Sequence, residues 1–380
     1  MKKILVVVTT AFVKTGGLTS VMMNYWRSMD KTDLSFDFAS TNMIDDLLYE
    51  EISKEGCHYF QLPPRKHVIN YYSALRDLCK GYDIIHVHAN SATSVIELLA
   101  AKMAGISKRI HHNHNSKTQY PFLNKILHPL FVHMYTVAIA CSDAAGEWLF
   151  GAGNYTILPN AIDINKFKYN PQIRNVIRDE FKIKENEFVV GHIGKFVDAK
   201  NHEFLIKLFT LYHAKHQYSK LLLVGDGALR SKIEYWIDES GCKDAIILAG
   251  LRSDIAALVQ AFDVFVFPSI YEGLPLSVLG AQASGLPCIV SSNVNSAVKV
   301  GRDVLLKDLI EGEQNWADTI DQLDYSVSRD ERCLKNYKLI TDAHFNIKSE
   351  ANKLLNIYIL NYINYIKIII NKTITIFYNI

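Results

Sequence analysis

The sequence predicts an α/β protein made of two doubly wound parallel sheets, each covered by helices. Short β-branched runs alternate with longer amphipathic segments along most of the chain, which is the pattern of strands and crossover helices. The 380 residues are 49% apolar, enough for roughly two to three domains with substantial cores. The alternation pauses at ILPNAIDINKFKYNP, which is rich in Pro, Asn and Lys, and then resumes. We therefore expect a junction between two units of similar size near residues 160 to 175.

The first half of the chain contains three clear pairs of strand and helix. The strand candidates are ILVVV, DIIHVHA and VAIACS, and the helix candidates that follow them are Val21 to Met29, TSVIELLAAKMAG and DAAGEWLFG. The N-terminal MKKILVVVTTAF has two lysines before an apolar run, as a secretory signal does. The run is only as long as a strand, and a Gly-Gly turn follows in place of a cleavage site, so we predict a strand.

The second half contains five further strand candidates, each followed by a turn or by a helical segment such as HEFLIKLFTLYHAK. They are FVVGHIGK, KLLLVGDGA, AIILAGL, DVFVFPS and PCIVSS. In doubly wound folds a ligand lies outside the carboxyl ends of the strands, so the loops after these strands are the places to look for a site. The segment from residue 361 to residue 380 is rich in Ile, Asn and Tyr and has no helical period, and we assign it no function.

Charge and cysteine usage exclude several classes of protein. Lys and Arg number 41 against 39 Asp and Glu, so the net charge is near zero and nothing indicates a nucleic-acid partner. Any anion site must therefore be local. The six cysteines form no C-x-x-C pair, which argues against a disulfide framework and against a thiolate zinc site. A reducing cytoplasm fits this pattern best.

Two familiar nucleotide-binding motifs are incomplete. VGDGALR offers Gly225 and Gly227, but Arg230 stands at the third glycine position of the dinucleotide fingerprint. GHIGKF contains Gly-Lys without the spacing or the Ser/Thr of a P-loop. Dehydrogenase and P-loop hydrolase functions are therefore disfavoured.

Loops after three of the strands could hold a diphosphate without a metal ion. KTGGLTSV, Lys14 to Val21, is a glycine turn that opens a helix, where backbone N-H groups can approach a phosphate, although a plain tight turn is the alternative. GKFVDAKN places Lys195 and Lys200 just after a strand, and two ammonium groups suit an anion, although a single exposed lysine is usually a solvated charge. EGLPLSVLG, which starts at Glu272, follows the strand DVFVFPS.

Histidines cluster at the ends of two predicted strands. HVHAN contains His86 and His88, and RIHHNHNS contains His111, His112 and His114. Zinc could use such groups, but no carboxylate or thiolate spacing completes a ligand set, so a metal site is disfavoured. Hydrogen bonding to sugar hydroxyls or proton transfer is favoured, and packing at strand ends remains the alternative, above all for His86 and His114.

These motifs together resemble glycosyltransferase family 4, and they look most like its bacterial capsular and exopolysaccharide branch. The likeness runs from about residue 1 to about residue 360 with the motifs in the family's order. It implies a GT-B fold in which two Rossmann-like domains face a central cleft. The implied parts are an acceptor-binding domain at 1–165, a nucleotide-sugar-binding domain at 166–345, a helix crossing back at 346–360 and the tail at 361–380.

The resemblance also implies a retaining transferase that uses a nucleotide sugar, expected to be a UDP-sugar, without a metal ion. By the family pattern His114 lies near the anomeric centre and Glu272 holds the donor sugar, so these two are the expected catalytic residues. His88 would lie on the acceptor side. The implied donor-binding residues are Gly16 and Gly17 at the phosphates, Lys195 and Lys200 at the diphosphate, Leu251 and Arg252 near the base, Gly273 and Leu274 at the sugar, and position Gly280.

The chain departs from the family pattern at two of these positions. Lys195 stands where the family commonly has Arg, which keeps the charge but loses the bidentate fork. Gly280 stands where the Glu-x7-Glu pattern has its second Glu, which accepts hydrogen bonds from the donor ribose in the family. Losing such contacts could weaken donor binding by something like 10² to 10⁴. With Pro275 as the first helical residue and Gly285 closing the helix, Gly280 is expected in mid-helix, where glycine costs about 1 kcal/mol relative to Ala.

Three functions follow from these observations. The first is sugar transfer to a glycan or a polyprenyl-linked glycan in surface polysaccharide synthesis. The second is an impaired or non-catalytic relative that acts as a binding or assembly partner, because of Gly280. The third is a nucleotide-sugar epimerase of the same architecture. The basic and aromatic segment KTQYPFLNKILHPLFVHMY could dock a cytoplasmic protein on the inner face of the membrane, although an ordinary packed helix is an equal alternative.

Overall fold

The computed structural model describes residues 1–13 and 16–360. The chain divides into two compact units, of which unit 2 is Ala161–Asn346. Unit 1 is Met1–Asn160 together with the segment that begins at Ile347. Each unit is an α/β structure around one parallel sheet, so the predicted pair of doubly wound units is confirmed. The division falls after Asn160, five residues before the predicted boundary, and the predicted tail at 361–380 lies outside the described residues.

Unit 1 contains a seven-stranded parallel sheet with the strand order β3-β2-β1-β4-β5-β6-β7. Its strands are β1 (Lys2–Val8), β2 (Leu34–Ser40), β3 (Tyr59–Gln61), β4 (Ile84–Ala89), β5 (Lys108–Asn113), β6 (Val137–Ala140) and β7 (Thr156–Ile157). The helices between them are α1 (Gly17–Ser28), α2 (Asp46–Lys54), α3 (Val68–Cys79), α4 (Val95–Met103), α5 (Pro121–Phe131) and α6 (Asp143–Phe150).

The central strands β4, β5 and β6 of unit 1 are buried along their whole length, so their side chains are covered on both faces of the sheet. The run from Ile4 to Val8 is fully buried, which is what a continuous apolar strand inside a parallel sheet requires. The order of the strands reverses between β1 and β4, because the chain runs outward from β1 to β2 and then returns to the other side of β1. The Thr9 N-H donates to the carbonyl oxygen of His88 at 3.1 Å and ties the two strand ends together. Ligands of doubly wound sheets bind at such a switch point.

Unit 2 contains a six-stranded parallel sheet with the order β10-β9-β8-β11-β12-β13. Its strands are β8 (Phe188–Ile193), β9 (Ser219–Val224), β10 (Ile246–Gly250), β11 (Val264–Phe267), β12 (Cys288–Ser291) and β13 (Val304–Lys307). Its helices are α7 (Ile164–Phe167), α8 (Pro171–Glu180), α9 (His202–Lys215), α10 (Arg230–Glu239), α11 (Ile255–Leu258), α12 (Leu276–Ala283), α13 (Gly312–Gln322) and α14 (Arg329–Asp342). Here the order reverses between β8 and β11.

The last described helix, α15 (Ile347–Ile359), belongs to unit 1 and packs against α1. A helix end leaves backbone carbonyls without intrahelical donors and carries a partial negative charge, so cations are stabilising there. Lys2 Nζ donates to the carbonyl of Ile359 at 2.7 Å, and Lys108 Nζ donates to that of Leu360 at 2.6 Å. The helix is therefore fastened to the N-terminal ends of β1 and β5.

Candidate active site

An ion pair marks the switch point of unit 2. Lys200 ends a short 3-10 turn after β8, and Glu272 lies in the loop after β11, so adjacent strands deliver the two residues to one edge of the sheet. Lys200 Nζ pairs with Glu272 Oε2 and also lies 4.6 Å from the ring centroid of Phe267, the last residue of β11. The side chains of Lys200 and Glu272 are 15% and 30% exposed, so both can still be reached by a ligand.

Backbone hydrogen bonds hold the two loops of this ion pair in place. The Ile270 N-H donates to the carbonyl of Ala199 at 2.8 Å and joins the loop after β11 to the 3-10 turn. The Asn295 N-H donates to the carbonyl of Glu272 at 3.3 Å. Asn201 has φ of 56°, and no described side chain caps the N-terminus of the 14-residue helix α9 that follows it. The first N-H groups of α9 are therefore available to an anion beside Lys200.

The glycines of VGDG allow two loops of unit 2 to pack closely against each other. Gly225 has φ of +152°, and a Cβ there would lie 2.0 Å from the carbonyl oxygen of Gly194. A Cβ on Gly227 would lie 2.6 Å from the carbonyl oxygen of Phe196. These glycines let the loop after β9 pack on the loop after β8, which carries Lys195. The incomplete dinucleotide motif is thus explained by backbone packing.

Among the remaining residues of the predicted donor site, some are exposed and one already forms ion pairs within the protein. The Lys195 side chain is exposed, and Leu251 is 64% exposed. The Arg252 guanidinium pairs with Glu180 and, at 2.7 Å, with Asp254, so a base would have to compete with two carboxylates. These pairings, together with hydrogen bonds, raise the pKa of Arg252 above its ordinary value.

The loop between Glu272 and α12 leaves backbone donors open. Gly273 is exposed, and a Cβ on it would meet no described atom within 4 Å. Within residues 1–13 and 16–360, the N-H groups of Gly273 and Leu274 donate to no acceptor. Two adjacent free N-H groups beside a carboxylate can recognise a hydroxylated ligand.

Helix α12 begins one residue later than predicted. Pro275 was expected as the first helical residue, but its φ of −73° and ψ of 111° are extended, and Leu276 is the first residue with helical geometry. Proline fixes φ only, and its ψ here follows the loop that carries Glu272. Gly285 has φ of +73° after the end of the helix, as predicted.

Gly280 is buried in α12 against an aromatic ring that no local pattern in the sequence indicates. A Cβ at Gly280 would lie 2.5 Å from Cε1 of Phe167, the last residue of α7. The phenyl ring of Phe167 therefore occupies the space that a side chain at position 280 would need, and this is the position at which the family pattern has a carboxylate. A glutamate at this position would meet the same ring.

Gly280→Ala is expected to lower the free energy of unfolding by about 1 kcal/mol. Overpacking costs typically 1 to 3 kcal/mol and here outweighs the ~1 kcal/mol by which Ala is the better helix former. In a Phe167→Leu background the ring clash is relieved, and the same substitution should stabilise the protein instead. Urea unfolding of the parent, of each single variant and of the double variant measures the coupling between the two positions. A Gly280→Ala variant more stable than the parent would contradict the prediction.

In unit 1, five histidines surround the carboxyl ends of β4 and β5. His88 Nδ1 lies 2.9 Å from His114 Nε2, so these two imidazoles share a hydrogen bond. His86 Nδ1 lies 2.6 Å from the hydroxyl oxygen of Tyr358 on α15. His111 points to the other face of the sheet, where its Nδ1 lies 3.0 Å from Ser94 Oγ. The structure therefore joins His88 to His114, both predicted site residues, and separates His111 from them.

Burial keeps these histidines neutral at neutral pH. It lowers the pKa of His114 to about 3 and that of His111 to about 3. It also lowers the pKa of His86, His88 and His112 well below the ordinary value, and the neighbouring imidazoles lower it further. A neutral imidazole has one donor and one acceptor nitrogen, which suits hydrogen bonding to a hydroxyl and does not suit an anion.

The predicted glycine loop of unit 1 is described from Gly16 onward, since residues 14 and 15 lie outside the described residues. Gly16 precedes the first residue of α1, and no described side chain caps that helix. A Cβ on Gly16 would lie 3.1 Å from the carbonyl oxygen of Val13, whereas one on Gly17 would meet no described atom within 4 Å. The Gly16 N-H donates to the carbonyl of Val13 at 2.9 Å, so the open backbone N-H groups at the N-terminus of α1 begin with Gly17.

Acid is expected to destabilise unit 2 through His192 and His202. Burial lowers the pKa of both imidazoles, to about 4 for His202. The unfolded chain titrates near pH 6.5, so the folded state binds fewer protons between about pH 6.5 and pH 4, and stability falls as the pH falls through that window. Each of the two should cost about 1 kcal/mol between pH 6.5 and pH 5.5, and the slope approaches about 1.4 kcal/mol per pH unit below that. Urea unfolding at pH 7.5, 6.5 and 5.5 measures the slope.

The matched variant for this prediction is His202→Gln. Between pH 6.5 and pH 5.5 it should lose about 1 kcal/mol less stability than the parent. Equal slopes in the two proteins would contradict the prediction.

Comparison with known proteins assigns the chain to a family. Residues 173–338 match the family described as Glycosyl transferases group 1. EpsF of Bacillus subtilis (strain 168), which its name places among the glycosyltransferases, is 34% identical over 325 residues, covering 80% of this chain and 84% of EpsF. A UDP-Gal:alpha-D-GlcNAc-diphosphoundecaprenol alpha-1,3-galactosyltransferase of Escherichia coli is 28% identical over 345 residues, covering 84% of this chain and 86% of that protein.

Solved structures agree on the fold. HepE of Anabaena in complex with UDP superposes with a TM-score of 0.74 at 18% identity, covering 93% of this chain and 98% of that one. A glycosyltransferase from Rickettsia africae superposes with a TM-score of 0.77 at 16% identity, covering 94% and 97%. The chain belongs to the group 1 glycosyltransferases and has their GT-B fold of two Rossmann-like domains.

Proposed function

We propose that this chain is a retaining glycosyltransferase that moves a sugar from a UDP-sugar to a glycan or polyprenyl-linked glycan in surface polysaccharide synthesis. The observation that carries the proposal is the pair Lys200 and Glu272 at the switch point of unit 2. The pair lies within the segment that matches the family. The acceptor class is supported by the relative from Escherichia coli, whose name specifies a diphosphoundecaprenol-linked sugar.

The chemistry of the ion pair suits a nucleoside diphosphate leaving group. Negative charge grows on the diphosphate as the sugar leaves, and a preorganised cation stabilises it where it forms. Lys200, the exposed Lys195 and the uncapped N-terminus of α9 supply positive charge on one loop. When the diphosphate takes Lys200 as its partner, Glu272 becomes free to accept hydrogen bonds from sugar hydroxyls. Since these cations stabilise the leaving group, we propose that the transfer step uses no metal ion.

The other donor contacts follow from the open backbone groups. The N-H groups of Gly273 and Leu274 face no acceptor among the described residues and would bind the sugar beside Glu272. Leu251 and Arg252 would line the place of the base. With no carboxylate at Gly280, the ribose would be held by water or by neighbouring backbone.

In unit 1, we propose that the hydrogen-bonded imidazoles of His88 and His114 orient hydroxyl groups, with His114 near the anomeric centre and His88 toward the acceptor. Their neutral form suits this task. Gly16 and Gly17 would lie against the donor phosphates, with the Gly17 N-H as the donor, because the Gly16 N-H already donates to the carbonyl of Val13 at 2.9 Å. In the proposed front-face reaction the departing phosphate oxygen accepts the proton of the acceptor hydroxyl as the new glycosidic bond forms.

Calorimetry with a panel of nucleotides and nucleotide sugars tests the proposal. UDP should bind the full chain, GDP should bind more weakly, and one UDP-sugar should be consumed when a lipid-linked glycan acceptor is added. Proton NMR of the product should show that the anomeric configuration of the donor is kept. Absence of binding by UDP and GDP at millimolar concentration would refute the transferase assignment, and an inverted product would refute the retaining mechanism.

The same panel separates the alternatives. A non-catalytic relative would bind UDP and leave every donor intact in the presence of acceptors. An epimerase would interconvert free UDP-sugars without an acceptor, which product analysis detects.

We further propose that helix α5 docks unit 1 on an anionic membrane surface. Its Phe122, Leu123 and Ile126 are 74%, 47% and 56% exposed, which is unusual for apolar side chains on one helix. Lys117 and Lys125 are exposed beside them, and a basic amphipathic helix binds the interface of anionic bilayers. Across the described part of the chain, no helix has the length and apolarity needed to cross a membrane.

The variant Phe122→Ser/Ile126→Ser is expected to weaken binding to anionic lipid vesicles at least about tenfold, because each apolar side chain loses roughly 1.5 to 3 kcal/mol of burial. Ile310→Ser is the matched control, since Ile310 is 90% exposed in unit 2 and should not affect vesicle binding. Co-sedimentation with phosphatidylglycerol vesicles measures the affinity. Equal binding by the parent and the α5 variant would contradict the docking proposal.

A further inference from the structure

Three of the buried histidines in unit 1 lie on one face of the sheet. His86 and His88 are two residues apart on β4, and His112 on β5 is the register partner of His88. Side chains two apart on a strand, and register partners on neighbouring strands, point to the same face. One ring nitrogen of each residue lies within 4.8 Å of one ring nitrogen of each of the others.

The outer nitrogens of two of these imidazoles are already engaged in the way that metal ligands require. Histidines that bind a metal through one nitrogen usually hydrogen bond through the other, which fixes the tautomer and the ring orientation. His86 Nδ1 contacts the Tyr358 hydroxyl at 2.6 Å, and His88 Nδ1 contacts His114 Nε2 at 2.9 Å. In both residues Nε2 is the nitrogen that remains for a cation.

Three of the four remaining ring nitrogens lack partners. His86 Nε2 and both ring nitrogens of His112 are buried with no hydrogen-bond partner among the residues that the structure describes. Buried polar atoms are nearly always satisfied in native proteins, so three such atoms beside one another indicate a missing partner. A cavity of about 20 Å³ borders His88 and His112, and a cavity of this size can hold one water molecule.

We propose that His86, His88 and His112 bind one zinc-class divalent cation through three imidazole nitrogens, with a water molecule as the fourth ligand. Three histidines and a water form a known tetrahedral zinc set, with Zn-N distances near 2.0 to 2.1 Å. The three nitrogens lie within 4.8 Å of one another, so the imidazole rings would have to rotate for all three to reach such a distance from one ion. The bound cation would fix His88 and, through the hydrogen bond, His114. The site lies wholly within unit 1, and with the cation on Nε2 and His114 on Nδ1, His88 would act toward the acceptor only through His114.

Titration of the tag-free full chain with Co²⁺, after removal of metals with a chelator, tests the site. One Co²⁺ should bind per chain with the intense visible absorption of a tetrahedral ion, and Zn²⁺ should displace it. His112→Gln should weaken Co²⁺ binding at least about tenfold, because loss of even an outer partner costs 10 to 100-fold. His111→Gln is the matched control, since His111 is equally buried but faces Ser94, and it should bind Co²⁺ as the parent does.

A second variant guards against a folding defect at position 112. His86→Gln should weaken binding to a similar degree, and circular dichroism of each variant shows whether it is folded. Binding of no Co²⁺ by the parent chain, or binding by both folded variants equal to that of the parent, would overturn the proposal and leave a buried water as the partner of these nitrogens.

Discussion

Lys200→Met is expected to reduce kcat/KM for the nucleotide-sugar donor at least about 100-fold, the loss typical when one preorganised group that stabilises a developing anion is removed. Lys200 is 15% exposed in its side chain and is held against Glu272 and the Phe267 ring, so its charge is already in position before a ligand binds. A cation that does not have to reorganise is worth more than a mobile one. The variant also leaves Glu272 without its cation, which adds repulsion toward a diphosphate.

The comparison of UDP with uridine isolates the charge effect. Calorimetry of Lys200→Met should show an affinity for UDP at least about tenfold weaker, because a hydrogen bond to a charged group is worth roughly 1.5 to 3 kcal/mol. The affinity for uridine should not change. Lys207→Met is the matched control, since Lys207 is an exposed lysine of α9 that pairs with Glu203 at 2.7 Å. Equal UDP affinities in the parent and the Lys200 variant would show that the diphosphate lies elsewhere.

Gly225→Ala should lower the free energy of unfolding by at least about 3 kcal/mol, within the range of overpacking combined with backbone strain. The new Cβ would lie 2.0 Å from the carbonyl oxygen of Gly194, and φ of +152° is a conformation that alanine rarely adopts. The clash is between the new Cβ and the backbone of Gly194, so rotation of a side chain cannot relieve it. The loop after β8 would have to move, and Lys195 with it.

Gly273→Ala is the matched control for stability in the same unit. A Cβ there meets no described atom within 4 Å, so the free energy of unfolding should change by less than about 1 kcal/mol. Urea unfolding of both variants provides the comparison, and UDP affinity of the Gly225 variant reports the displacement of the loop. A Gly225 variant as stable as the Gly273 variant would show that the two loops do not pack so closely in solution.

Most of the fold could be predicted because parallel sheets have a strong signature in the sequence. Runs such as ILVVV and DVFVF are long enough only for buried strands, and the structure places them as β1 and β11. The end of the first unit was less predictable. The stretch ILPNAIDINKFKYNP has no hydrophobic period, and the short helix α7 inside it forms by tertiary packing of residues such as Ile164 and Phe167.

Parts of the site were predictable for a topological reason. Lys200, Glu272 and His88 each lie at or just after a strand end, and parallel strands deliver such residues to one edge of a sheet. The pairing of Lys200 with Glu272 follows from the adjacency of β8 and β11. Contacts between distant segments could not be predicted. Tyr358 meets His86 from 272 positions away, and no local pattern in the last helix indicates it.

The position of α15 has a consequence for the order in which the protein can be completed during synthesis. Unit 2 is one uninterrupted stretch of chain, so it can fold as soon as Asn346 has left the ribosome. Unit 1 begins first and is completed last, because Tyr358 and the helix end held by Lys2 and Lys108 are made after the whole of unit 2. Until then His86 lacks its Tyr358 partner, and the cavity beside His88 and His112 lacks the part of its wall that Leu354 and Tyr358 supply. The interval between these events is a time window in which a nascent chain could load a cation that the finished protein would enclose.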